Sequence, residues 1–402
     1  MDVRDLTRTL VEIPSHESEA RAGDFVEDWL REHTTADVTR DAGGVDDAET
    51  GDTERDRGGN VIARKGSGEA SLALVGHHDV VPPDESQIAA DATGDGDASG
   101  GEYVVTERDG RLYGRGSADM KGSLAAAMVA FRDADPACEL LFASFVGEED
   151  GGVGARAAID RGFAPDYAVV GEGSTAAYPA VDGEGTAPAD ATNVAVAHKG
   201  RRGSTVVAEG RAAHASELAA GENAIYRASD AVDVLRGVEF PETEVFDYRL
   251  AGSVAATEIE GGSAWNVIPD RCEVTVDERT VPGERAPLDR VEAVDGVTWR
   301  VDQDLPPMAC DDPAFADAVL SATRDAHGNG DDTAGGATDA APRQVVKPHA
   351  TDAGWLADAG TTCVVCGAAE SGQAHTADES VSLAVVERCV AIYRRLAETW
   401  TG

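Results

Sequence analysis

Leu72-Ala73-Leu74-Val75-Gly76-His77-His78-Asp79-Val80-Val81-Pro82 is the stretch on which the fold reading turns. Leu72 to Val75 form an apolar run long enough for a buried strand and too short for a typical helix. Gly76 closes it, and a glycine there lets the backbone turn sharply or approach a ligand. Two imidazoles and a carboxylate follow at once. Polar groups displayed where a buried strand ends are where open α/β sheets keep their sites. Strand alternation places His77 and Asp79 on one face, so that Asp79 can orient His77 as carboxylates orient metal-bound imidazoles. Alone, the stretch reads equally as a surface turn that holds two histidines.

Working outward, the same texture recurs. Val3, Leu6, Leu10 and Ile13 have helical spacing with Pro14 as a stop, and Ala22, Phe25, Val26, Trp29 and Leu30 form a second amphipathic helix. Asn60–Ala63 reads as a strand. Gly114-Arg115-Gly116-Ser117-Ala118-Asp119-Met120-Lys121-Gly122 puts Asp119 in a loop entering a helix that carries Leu124, Ala127, Met128 and Phe131 on one face. A helix cap is the ordinary alternative for such an Asp. The strand Leu140–Val146 ends in Gly147-Glu148-Glu149-Asp150, where successive acids repel one another unless cations neutralise them. The strand Tyr167–Val170 ends in Gly171-Glu172. Four strand or loop endings thus deliver His77, Asp119, Glu149 and Glu172. Carboxylates mixed with imidazole suit zinc, manganese or cobalt, and the absence of thiolate argues against a purely structural zinc site.

After residue 175 the pattern changes. A helix from Ala224 to Leu235 sits among alternating strand-like stretches, with Cys272, Val274 and Val276 facing one way. The expected organisation is a catalytic domain over 1–192 and 304–402, interrupted by a smaller α+β domain over 193–303 that carries His214, Asn266 and Arg279. Helix 312–325, strand 361–365 and a closing helix with Val386, Val390 and Tyr393 complete the first domain, with His375 before that helix as a fifth candidate ligand. Polar, acidic segments at 41–59, 84–102 and 326–342 read as surface loops and insertions.

With these motifs placed, the chain resembles the co-catalytic zinc hydrolases that include acetylornithine deacetylase, succinyl-diaminopimelate desuccinylase, aminoacylase and glutamate carboxypeptidase. GHHDVVP, GRGSADMKGS, GEED, VVGEGS, GRAAHAS, NVIPDRCEVTVDER with PGE, and QAHTADE carry the resemblance in order from residue 76 to residue 379. It implies a zinc-exopeptidase-like α/β catalytic domain, its mixed central sheet flanked by helices, and a smaller α+β lid that makes a homodimer. It implies two divalent ions, zinc or alternatively cobalt. His77 and Glu172 would bind one and Glu149 and His375 the other, with Asp119 bridging them. Asp79 would brace His77, Glu148 would be the general base, and His214, Asn266 and Arg279 would serve from the smaller domain. An imidazole such as His214 suits an oxyanion donor, and Arg279 offers a planar fork to a substrate carboxylate. The alternative for Arg279 is a surface ion pair with Glu273 or Asp277. The run HKGRRGS points to the desuccinylase branch, whereas the spacing to His214 and the tail QAHTADE point to the deacetylase side. The implied activity is hydrolysis of an N-acyl amino acid. A dipeptidase or carboxypeptidase would use the same metals, and a non-catalytic metal-binding relative would not need Glu148.

Composition narrows the partners. The 402 residues carry 75 acidic against 34 basic side chains, a net charge of −41, and four lysines. Such charge repels nucleic acid and anionic membrane and points to a salt-loving source. Hydrophobic residues make up 42%, in periodic runs, which excludes an acidic disordered chain. No apolar run reaches the roughly 18 residues of a membrane span, and the start lacks a signal peptide's pattern. A cytoplasmic protein is expected, and its six scattered cysteines suit a reducing compartment.

Overall fold

The computed structural model describes residues 1–41, 57–89, 102–328 and 341–402. The expected polar segments fall largely on 42–56, 90–101 and 329–340, which lie outside the described residues. At the centre is a nine-stranded mixed sheet. Strand Ser71–His77 lies between Glu139–Phe145 and Tyr167–Val170, parallel to both, and Thr362–Val365 extends the parallel run. Asn60–Lys65 and Asp37–Asp41 add antiparallel strands at one edge. A buried strand alternates between two cores, and the side chains show it. Leu72, Leu74, Leu140 and Phe142 enter one core with the helices Val3–Glu12, Ala20–His33, Gly122–Asp133, Pro313–Gly328 and Leu383–Thr399. Ala73, Val75, Leu141, Ala143 and Phe145 enter the other, with the helices Val153–Asp160 and Ala353–Asp358. Phe142 is fully buried, and truncating such a ring to alanine costs about 3–5 kcal/mol.

Helix Gly122–Asp133 buries Gly122 to Phe131 without a break, rather than one face. It is clamped between the sheet and the helices Val3–Glu12 and Leu383–Thr399, and the small side chains of Ala125, Ala126 and Ala130 make that approach possible. Gly76 also acts differently from the sequence reading. The strand runs straight through it to His77, and a Cβ there would lie 2.6 Å from the Met120 methyl. It is the glycine's small size, rather than its freedom to turn, that the fold uses.

The smaller unit is an antiparallel sheet ordered Ser253–Gly261, Arg271–Thr280, Gly200–Glu209 and Val297–Leu305. Helix Ala224–Arg236 and the turn Leu288–Ala293 cover one face around Val206, Val274, Val276 and Leu235. Cys272, Val274 and Val276 are buried together, as the alternation predicts. The expected boundary at 193 needs correction, because Val194–His198 pairs with Gln344–Lys347, Thr362–Val365 and Met308–Ala309 in the central sheet. Its five consecutive buried residues suit a strand covered on both faces. The smaller sheet therefore begins at Gly200 and ends at Leu305.

Candidate metal centre

The carboxyl ends of three neighbouring parallel strands supply the first groups. His77 is the last residue of its strand, Glu148 and Glu149 follow Glu139–Phe145, and Glu172 follows Tyr167–Val170. Asp119 comes from the turn Ser117–Lys121, which leads into helix Gly122–Asp133. Gly116 opens that turn at φ 81°, and a Cβ on it would lie 2.5 Å from a Val80 methyl. His375, at φ 64°, lies in the loop before the strand Ser380–Ser382.

These groups converge in two clusters, His77 with Glu148 and Glu172, and Asp119 with Glu149 and His375. Asp119 joins them. Its Oδ1 lies 3.3 Å from His77 Nε2, and its Oδ2 lies 3.2 Å from His375 Nε2. His77 Nε2 is also 3.2 Å from Glu172 Oε1, and His375 Nε2 is 3.0 Å from Glu149 Oε1. Ligands about 2.0 Å from a tetrahedral ion stand roughly 3.3 Å apart, so the donor atoms already have the spacing of a shared cation. The donor set of imidazole and carboxylate fits a zinc-type ion.

Asp79 is fully buried and braces this arrangement from below. Its Oδ1 lies 3.2 Å from His77 Nδ1, and its carboxylate accepts the N–H groups of Glu148 and Glu149 at 3.2 and 3.1 Å. With the Nδ1 proton directed at Asp79, the Nε2 lone pair of His77 faces the cluster. The Glu148 turn is pinned a second time. Glu19 accepts the Gly147 N–H at 2.9 Å, and Arg57 bridges Glu19 and Asp150, each at 2.9 Å. His78 points instead into the core, where burial pushes its imidazole down to about 3 and Ser144 Oγ is its partner at 2.8 Å.

The electrostatics call for cations. Burial pushes the Glu148 carboxyl well above its usual range and Glu149 up to about 7. Burial also opposes ionisation of Asp119, but hydrogen bonds from His375 and His77 outweigh it and hold that carboxyl below its usual range. The bonds to Asp119 and Glu149 raise His375 to about 10.

Two adjoining cavities, of about 320 and 420 Å³, share Glu148, Glu149, His349, Ala350 and His375. The smaller sheet forms one wall of the larger. Arg201 and Arg279 are directly paired across its strands and both line that cavity. Both also bond Asp277 at 2.8 Å, so Arg279 makes the expected ion pair and faces the cleft as well. Arg202 turns the other way, onto the buried Glu278 at 2.6 Å, and Ser204 is buried. His214 and Asn266 lie next to each other beside the two-stranded pairing of Ala213–His214 with Val267–Ile268, and neither lines either cavity. The sequence reading missed Lys347, His349 and Asp352. Lys347 Nζ lies 3.6 Å from Glu172 Oε2, and His349 and Asp352 line the larger cavity. The same signal would have found them, since QVVKPHATD is another buried strand ending in polar groups.

Comparison with known proteins agrees with this geometry. The family model described as Peptidase family M20/M25/M40 matches residues 73–399. The chain belongs to this family. Like other M20 members it is a hydrolase of the metallopeptidase class. An acetylornithine deacetylase of Myxococcus xanthus is 29% identical over 378 residues, covering 85% of this chain and 84% of that protein. The crystal structure of an aminopeptidase from Bacillus cereus superposes with a TM-score of 0.69 at 17% identity, covering 98% and 97% of the two chains. A dinuclear metal-binding M20 peptidase of Bacillus subtilis gives 0.63 at 15% identity, covering 98% and 96%. The mixed sheet with flanking helices is thus the M20 fold. Among the described residues, no helix is long and apolar enough to cross a membrane.

Proposed function

We propose that this M20 chain hydrolyses the amide bond of an N-acyl amino acid, as an acetylornithine deacetylase or succinyl-diaminopimelate desuccinylase would. The observation that carries the reading is Asp119, whose two carboxylate oxygens each face a different imidazole. His77 and Glu172 would hold one divalent ion, Glu149 and His375 a second, and Asp119 both, with zinc or cobalt the ions that suit the donors. Such a pair, when bound, lowers the pKa of a water and clamps the oxygens of a tetrahedral intermediate.

The protein residues do the rest. Glu148, held by its backbone N–H to Asp79, takes the proton of the attacking water and passes it to the leaving nitrogen. Its burial favours holding that proton between the two transfers. Arg279 and its cross-strand neighbour Arg201 would take the carboxylate of the amino acid. The M. xanthus relative supports a deacylase. A dipeptidase or carboxypeptidase would use the same centre, and the peptidase names of the structural neighbours support that second reading.

The exposed edge strand Ser253–Gly261, with Trp265 at 96% and Tyr226 at 69% exposure, supports a homodimer through the smaller unit acting as lid. His214 and Asn266 lie off the cleft of their own chain, so their expected roles require delivery by a second copy or by closure. The charge of −41 supports a salt-loving source.

The test compares Glu148→Gln with Glu149→Gln on a panel of acyl amino acids and dipeptides, with metal stoichiometry measured for each. Glu148→Gln should keep its metal and lose about 10²–10⁴ in kcat. Glu149→Gln should lose metal and activity together. Full turnover in both variants would refute the assignment, and turnover of dipeptides alone would select the peptidase reading.

A further inference from the structure

One carboxylate in the larger cavity belongs to neither metal cluster. Asp352 is 2% exposed, and its Oδ1 has no hydrogen-bond partner. It directly precedes helix Ala353–Asp358, where an Asp ordinarily caps. Here its own backbone is already helical, and its side chain makes no capping bond. It lines the 420 Å³ cavity together with Glu148 and Arg279. A buried carboxylate without a partner is costly, because it has given up water and gained nothing in return. The cost is high enough that burial, with Asp79, Glu172 and Glu149 nearby, pushes its carboxyl up to about 8. Gly152 keeps the approach tight, since a Cβ there would lie 2.8 Å from Asp352 Oδ1.

We infer that Asp352 is a specificity residue that receives a cationic group, an ammonium, on the amine half of the substrate. The inference rests on the deacylase reading and refines it. Arg279 and Arg201 offer one end of the cavity to a carboxylate, and Asp352 offers another point to a cation. The amino acid that fits both carries a second, positively charged nitrogen, as a diamino acid does. Neutral amino acids would leave Asp352 unpaired, and a site that buries an unpaired group discriminates against them.

The test uses N-acetylornithine and N-acetylnorleucine, whose side chains differ by an ammonium in place of a methyl group. On the metal-loaded enzyme in molar potassium chloride, kcat/KM should favour the ornithine derivative by about ten- to hundredfold, the worth of a hydrogen bond to a charged group. Asp352→Asn should collapse that ratio, chiefly through KM, with metal content and melting temperature measured alongside. Equal kcat/KM for the two derivatives on the wild-type enzyme overturns the inference alone. So does a ratio that survives in Asp352→Asn, or a variant that loses metal and both activities in equal measure. Hydrolysis of neither derivative overturns the deacylase reading, and the inference with it.

Discussion

Glu379, a few residues after His375, anchors the turn that carries Asp119, and removing it is the most demanding test of how the candidate metal site is held. Its carboxylate is fully buried. Oε2 pairs with Arg115 Nη1 at 2.6 Å, and Oε1 accepts the N–H groups of Ala118 and Asp119 at 3.0 and 3.2 Å. Arg115 is itself 3% exposed. Glu379→Ala would therefore strand a buried guanidinium, which costs about 3–5 kcal/mol when one partner of a buried pair is removed. It also strands two backbone donors, each worth about 1–3 kcal/mol when left unsatisfied. These terms overlap, so a loss near the upper end of the first range, about 5 kcal/mol, is expected. Urea unfolding of the metal-loaded protein in molar potassium chloride measures it. Arg115→Ala alone should cost several kcal/mol, and the double variant much less than the sum, because the second removal takes away the charge stranded by the first. Turnover should fall as well, since the Asp119 backbone loses its anchor and misplacement by about 1 Å can cost 10²-fold. A loss under about 1 kcal/mol in Glu379→Ala, or strict additivity in the cycle, would refute this account.

Other outcomes follow from the same structure. His198 is buried with its imidazole pushed down to about 3, bonded to Lys199 O at 3.1 Å and Thr351 Oγ1 at 3.2 Å. Below the ordinary pKa of 6.5 the unfolded chain takes a proton that folded His198 refuses. Its contribution is thus complete above pH 6.5 and shrinks as the pH falls toward 3, by about 1.4 kcal/mol per unit. Stability measured between pH 4 and 6 should be less steep in His198→Gln by about that amount, and an unchanged slope would refute it. With a net charge of −41, the melting temperature should be lower in dilute buffer than in molar potassium chloride; indifference to salt would contradict this. Chelation should abolish turnover and added zinc or cobalt should restore it. Full activity in protein shown by elemental analysis to hold no divalent metal would end the metal reading.

What could be read ahead of the structure followed from local rules. Buried strands announce themselves by apolar runs, and the polar residues at their ends must lie along one edge of a parallel sheet. His77, Glu149 and Glu172 were therefore legible without knowing strand order. Period-two alternation likewise foretold the buried face of Arg271–Thr280, and applied to the neighbouring strand it separates Arg201 in the cleft from Arg202 in the core. Tertiary packing decided the rest. An Ala-rich helix shows the same weak stripe whether one face or the whole cylinder is buried, and only the placement of the flanking helices around Gly122–Asp133 settles which. Val194–His198 is as apolar as any strand of either sheet, so its membership in the central one depended on Gln344–Lys347, nearly 150 residues away.

The cleft wall was the least legible part for the same physical reason. Arg279 and Asp352 are 73 residues apart in sequence, one on a strand of the smaller sheet and the other just before helix Ala353–Asp358, and neither stands in a motif whose spacing encodes the other. Metal ligands must meet within a few ångströms around one ion, which constrains residue types and confines them to strand ends. A substrate pocket asks only that suitable groups face a common space several ångströms wide. Many sequences meet that condition, so local pattern carries little information about it. Asp352 illustrates the point. In sequence it is an Asp before a short helix, the commonest of capping positions, and its uncapped, unpartnered carboxylate becomes visible only in the folded cavity it shares with Glu148 and Arg279.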